Sequence, residues 1–112
     1  MAGIDGHARV TQHIAAFNAA VKSGDWQLFA NRFAPEATMR FIGVPAGPFA
    51  GRVAIARAYA TQPPTDTLTP HRVESTDLVD TVEFAWSAGG TGLMRLSWEG
   101  DLVSELIVTF DS

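Results

Sequence analysis

The sequence has no cysteine, which removes a disulfide framework, a thiol nucleophile and a thiolate metal site together. Its three histidines, His7, His13 and His71, stand at no spacing of the His-x-x-x-His kind, so no metal site is expected. Basic residues are few: eight Lys and Arg against twelve Asp and Glu give a net charge of −4 and a pI near 5.1. That balance supplies no footprint for nucleic acid or for an anionic membrane, and neither partner is expected. No apolar run approaches the roughly 18 residues that cross a bilayer. The opening residues, MAGIDGHARV, lack a basic stretch leading into an apolar one. The chain therefore reads as soluble and cytoplasmic. Repeats and low-complexity segments are missing as well, and the proline-rich spots at 45–48 and 63–70 are loop-sized.

What is present suits one hydrophobic core. With 112 residues, 46% of them apolar, the chain reads as a single domain over 1–112. From Asp5, a suitable N-cap, to Ser23-Gly24, apolar residues at Val10, Ile14, Phe17 and Val21 recur at helical spacing, and Gly24 is a good stop. Asp25 can cap a second helix of about nine residues, in which Trp26, Phe29 and Phe33 share a stripe ended by Pro35. Residues 37–42 alternate as a strand, and Gly43 to Gly51 form a loop stiffened by Pro45 and Pro48. A third helix over Arg52–Thr61 places Ile55 and Tyr59 one turn apart, before Pro63-Pro64.

Beyond that point the period changes to two, predicting strands near 67–75, 79–87, 91–98 and 102–110. Three-residue hairpin loops at Ala88-Gly89-Gly90 and Glu99-Gly100-Asp101 would set the register. Phe84 then faces Met94 and Leu106, Val82 faces Leu96 and Ser104, and Trp86 faces Gly92 and Val108. The opposite face would carry a row of Glu83, Arg95 and Glu105, a solvated ladder or a dimer contact. A one-residue slip would mix the oily and charged faces.

Three helices and a curved antiparallel sheet with an oily concave face describe an α+β cone closed by helices, a cystatin-like roll. The stretches SGDWQLFANRFAPEATMRF and PFAGRVAIARAYA resemble the nuclear transport factor 2-like superfamily, in its ketosteroid isomerase and SnoaL-like polyketide cyclase branch. In that branch a Gly-Asp pair links the first two helices and an Ala-Thr run leads into the first strand. The resemblance covers nearly the whole chain, and its motifs are structural, so it speaks to fold more than to activity. Isomerases of this kind use an aspartate base with a tyrosine and a protonated aspartate as oxyanion hole. An ungapped match on Gly24-Asp25 and Ala37-Thr38 puts Phe41 at the position of the base and Phe17 at that of the oxyanion tyrosine. GLMRLSW, over 92–98, offers no carboxylic acid for the second aspartate, while Tyr59 falls at a supporting tyrosine on the third helix. Phenylalanine cannot abstract a proton, so a standard steroid isomerase is disfavoured.

The resemblance and the strand parities together suggest a greasy hollow lined by Phe17, Met39, Phe41, Tyr59, Phe84, Trp86, Met94 and Trp98. Taken singly, each of these reads as a core residue, and it is the set on one concave face that points to a cavity. The first reading is binding of a small, mostly apolar molecule, without cofactor, by a homodimer such as relatives often form. An isomerase, cyclase or dehydratase acting on a polycyclic or lactone-like substrate is the alternative, with Asp80 and His71 as candidate catalytic residues. Asp80 has oily-face parity beside Trp98, where desolvation would raise its pKa, although as a strand-end residue it could turn outward. His71, after Pro70, could orient a ligand or water. His13, one turn before Phe17, reads as an exposed helical histidine, and Arg40 as pointing outward. A third possibility is a structural module with a filled cone. GVPAGPFAG is no phosphate loop: no lysine follows it, and its prolines remove amide donors, so it reads as a stiff lip over the hollow.

Overall fold

The computed structural model of the protein describes residues 6–76 and 78–110. Its elements run α1 (Gly6–Ser23), α2 (Trp26–Ala30), β1 (Phe33–Ile42), β2 (Phe49–Ala50), α3 (Arg52–Thr61), β3 (Leu68–Ser75), β4 (Val79–Trp86), β5 (Thr91–Glu99) and β6 (Leu102–Phe110). The strands form one curved, unclosed sheet in the order β2-β1-β6-β5-β4-β3. Every neighbouring pair is antiparallel except β1 and β6, which run parallel. The α+β architecture expected from the sequence is the one observed. Among the described residues, no helix is long and apolar enough to cross a membrane.

The buried stripe of α1 is Val10, His13, Ile14, Phe17 and Ala20, a three- and four-residue spacing that keeps one face toward the sheet. Lys22 in the last turn complements the helix dipole. Gly24, at φ 81°, donates its N–H to the Ala20 carbonyl at 2.8 Å and stops the helix. The expected cap at Asp5 lies outside the described residues. Further along α1, the Asn18 amide clamps β3: its Nδ2 donates to the Leu68 carbonyl at 3.0 Å, and its Oδ1 accepts from the Leu68 N–H at 2.8 Å.

Asp25 does cap α2, accepting from the Leu28 N–H at 3.1 Å. The helix nevertheless spans only Trp26–Ala30 and not the nine residues up to Pro35. Tertiary pairing overrides the helical stripe here, because the Arg32 carbonyl accepts from the Val103 N–H at 2.9 Å and Phe33 pairs with Val103. The strand thus begins at Phe33 and not at residue 37. Its register against β6 shifts between Phe33 and Thr38, the stretch where Pro35 has no N–H to give a ladder.

The last three strands keep the expected faces but not the expected partners. Both hairpins are offset by two residues. Trp86 and Gly90 close the first loop, with Gly89 and Gly90 at φ 109° and 93°, so it begins one residue earlier than expected. The second hairpin is a two-residue turn, Gly100-Asp101, between Glu99 and Leu102, and a bulge between Ser97 and Trp98 supplies the rest of the offset. Phe84 therefore faces Gly92, Met94 lies between Val82 and Val108, and Leu96 lies between Asp80 and Leu106. An even offset preserves inside and outside. It dissolves the proposed charged row: Glu83 faces Arg72 and Leu93, Arg95 faces Thr81 and Ile107, and Glu105 faces Ser97 and Thr38.

Gly92 explains why this register closes. A Cβ there would sit 2.6 Å from Phe84 Cζ and 2.8 Å from the Thr109 carbonyl oxygen. Only a glycine lets the Phe84 ring lie across β5, and Phe84 is buried at the centre of the concave face.

Candidate binding site

The helices and the concave face leave a hollow of about 300 Å³. Its floor is the inward side of the sheet: Met39 and Phe41 from β1, Phe84 and Trp86 from β4, Met94 from β5, with Leu106, Val108 and Phe110 from β6. Phe17 enters from α1 and Tyr59 from α3. Val44, Ala46 and Phe49 complete the rim from the loop between β1 and α3, so this segment does sit at the edge of the hollow. Seven of the eight residues expected to line such a space are brought together there.

Aromatic packing fixes several of these walls. The Phe17 ring meets Trp26, Phe29 and Tyr59 edge-on at 5.6, 5.7 and 6.3 Å. Tyr59 lies flat on Trp26, ring centroids 4.7 Å apart at 9°. Trp86 stacks on Phe110 at 5.9 Å and meets Phe84 edge-on at 5.1 Å. Offset and edge-on contacts of this kind stabilise ring positions beyond simple area burial. Phe41, half-buried, stands between Phe49 and Phe110 at 6.2 and 6.0 Å. It is a rim residue in an aromatic group, with no acid beside it.

Trp98, the eighth expected residue, is buried but does not line the hollow. Its indole Nε1 donates to Asp80 Oδ2 at 2.8 Å, and the Arg9 guanidinium lies 5.2 Å over its ring. Asp80 is likewise absent from the lining. It is 0% exposed and does not turn outward at the strand end. Arg9 holds both of its oxygens, Nε donating to Oδ2 at 2.6 Å and Nη2 to Oδ1 at 3.1 Å. Burial alone would raise the Asp80 pKa, but hydrogen bonds from Arg9, Ser75 and Trp98 and the Arg9 charge outweigh it and hold the carboxyl below its ordinary range. A carboxylate so satisfied is a poor proton acceptor and serves as a structural knot between α1 and the β4–β5 end of the sheet. His71 is exposed, at the irregularity in β3 between Pro70 and Arg72, and does not reach the hollow. Arg40 is exposed as expected.

The residue that sequence reasoning misplaced is His13. It is 1% exposed, lines the hollow, and packs against Phe29, Phe33 and Trp98 at 5.2, 6.0 and 6.4 Å. Its Nδ1 is buried without a hydrogen-bond partner. Burial, and after it the nearby Arg32 charge, lower its pKa to about 3, so the imidazole is neutral at pH 7. The signal was present in the sequence: His13 completes the 10, 13, 14, 17 spacing of the α1 stripe. Tyr59 is also buried, which pushes its phenol upward. Gln62 is the remaining amide in the lining, which contains no carboxylate, amine or guanidinium among the described residues. Nor, among those residues, do three His, Asp or Glu side chains come together to hold a metal ion.

A curved sheet over three helices, with an apolar hollow between them, defines the class of fold. The model of the SnoaL-like domain matches residues 4–96, and the chain belongs to that family. Solved structures agree on the fold. An NTF2-like protein of unknown function from Cytophaga hutchinsonii superposes with a TM-score of 0.73 at 14% identity, over 98% of this chain and 93% of that one. A protein with a ketosteroid isomerase-like fold from Catenulispora acidiphila, solved in complex with trimethylamine, gives 0.75 at 14%, over 88% and 85%. A cystatin fold protein from Novosphingobium aromaticivorans gives 0.69 at 14%, over 95% and 98%. No curated protein matches the sequence.

Proposed function

We propose that the protein binds a small, mostly apolar molecule in the hollow between α1, α3 and the concave face of the sheet. The observation that carries this reading is the lining itself: a space of about 300 Å³ walled almost wholly by aromatic and aliphatic side chains. A dense core leaves few voids larger than a water molecule, and ligand sites are typically concave, apolar and equipped with few polar groups. Acid–base chemistry by Asp80 or His71 gains no support from their positions, one locked in an ion pair and the other on the outer surface.

Trp86 in the lining gives the test. Titration with naphthalene is expected to quench tryptophan fluorescence saturably, and Trp86→Phe should remove most of the response while leaving the fold intact. Met94→Trp, which fills the floor, should abolish saturation. Absence of saturable binding of naphthalene and larger fused-ring probes up to their solubility limits would overturn the reading.

A further inference from the structure

We infer that His13 is the specificity-determining residue of the hollow, selecting apolar molecules that carry an uncharged oxygen, a hydroxyl or carbonyl, over bare hydrocarbons and over cations. The inference rests on the proposed binding function and adds the chemical class of ligand. A buried imidazole nitrogen without a partner costs about 1–3 kcal/mol relative to one that is hydrogen-bonded. His13 Nδ1 is in that condition while its ring lines an apolar space. Phe29, Phe33 and Trp98 surround the ring with hydrocarbon and indole surface; the phenylalanine side chains have no polar atom, and the Trp98 N–H is given to Asp80. Nδ1 is itself enclosed, so the ring must shift slightly for an entering oxygen or a trapped water to meet it from the hollow that the residue borders.

The electrostatics narrow the choice. The neutral imidazole carries one donor and one acceptor nitrogen. Arg32 acts on the same ring with a positive field, and its own Nε is also buried without a partner. That field penalises an incoming cation and favours a group presenting oxygen lone pairs to the imidazole N–H. Asp80, the nearest buried carboxylate to the Trp98 side of the ring, is already neutralised by Arg9 and offers a cationic ligand no compensation. The other polar groups in the lining, on Tyr59, Gln62 and Trp86, belong to α3, the residue just after it, and the end of β4. Of these polar side chains, only His13 enters from α1.

The test compares naphthalene, naphthol and naphthylmethylamine on the intact chain by calorimetry or Trp86 fluorescence. Wild type should bind naphthol about tenfold more tightly than naphthalene, the worth of about one net hydrogen bond, and should bind the amine least. His13→Leu should keep or improve naphthalene binding and lose the preference for naphthol. Nitrogen NMR of the His13 ring in the wild type gives a second readout that needs no variant: its resonance should move on saturation with naphthol and stay in place with naphthalene. Equal affinity for naphthol and naphthalene in the wild type, as expected if a trapped water satisfies the ring, would overturn the role of His13 while leaving the hollow a binding site. An unchanged preference in His13→Leu, or a ring resonance indifferent to naphthol, would do the same. Failure of every probe to saturate would overturn the binding function and this inference with it.

Discussion

Acidification should destabilise this protein through His13, and the size of the effect follows from its burial. The folded state keeps the ring neutral down to about pH 3, whereas the unfolded chain takes up a proton near 6.5. Between those values the unfolded state binds the extra proton, so its population is favoured as the pH falls. The contribution of His13 is thus fully present above pH 6.5, declines through the window, and is lost below about 3. Each pH unit well inside the window is worth about 1.4 kcal/mol, and the interval from pH 7 to pH 5 about 2 kcal/mol. Asp80 does not contaminate that interval, because its carboxyl lies below the ordinary 3.8 and its contribution is lost only at lower pH. Urea unfolding of wild type and His13→Leu at pH 7 and pH 5, followed by far-UV circular dichroism, isolates the effect. The variant, which removes a buried unpartnered polar atom, should match or exceed the wild type at pH 7. Its advantage should grow by about 2 kcal/mol at pH 5. Identical pH dependence in the two proteins would refute the reasoning, since it would mean that the ring is protonated or solvated in the folded state.

The Arg9–Asp80–Trp98 knot predicts a large loss for a small change. Asp80→Ala should cost about 3–5 kcal/mol in urea unfolding, because it strands a guanidinium whose side chain is 12% exposed. Arg9→Met combined with Asp80→Leu should recover most of that loss, and a single-variant cost below about 1 kcal/mol would contradict the assignment. Gly92→Ala should lower stability by about 1–3 kcal/mol through the collision with Phe84 and the Thr109 carbonyl. Thermal unfolding that leaves the Gly92→Ala midpoint unmoved would show that the ring and backbone give way without strain.

Face assignment was far more legible in the sequence than partner assignment. The two-residue period of β4, β5 and β6 fixes which side chains point inward, and Phe84, Met94 and Trp98 are buried as that parity requires. Register depended on where two glycine-containing loops close, and neither Ser97-Trp98 nor its neighbours announce a bulge. Helix α2 was overestimated because Phe33 continues a helical stripe, while the force that converts it to strand comes from Val103, remote in sequence. The hollow's walls were readable because large apolar residues at alternating positions have few other places to go. His13 carried its signal in the helical spacing, but spacing alone does not say whether tertiary packing will tolerate a histidine on a buried face. The partnership of Asp80 with Arg9 lay beyond pattern reading altogether, since nothing in the local sequence of either residue refers to the other.

The parallel ladder between β1 and β6 has a bearing on how the protein is made. Residues 38–42 pair along their whole length only with residues 105–109, because β2 meets just Thr38 and Met39 on the other side. A nascent polypeptide emerging from the ribosome must therefore hold an oily segment largely unpaired until β6 has been synthesised. Loop closure of that span is slow, and the waiting segment is exposed to aggregation in the meantime. Premature termination anywhere before β6 should yield material dependent on chaperones or destined for proteolysis, and not a smaller version of the same domain.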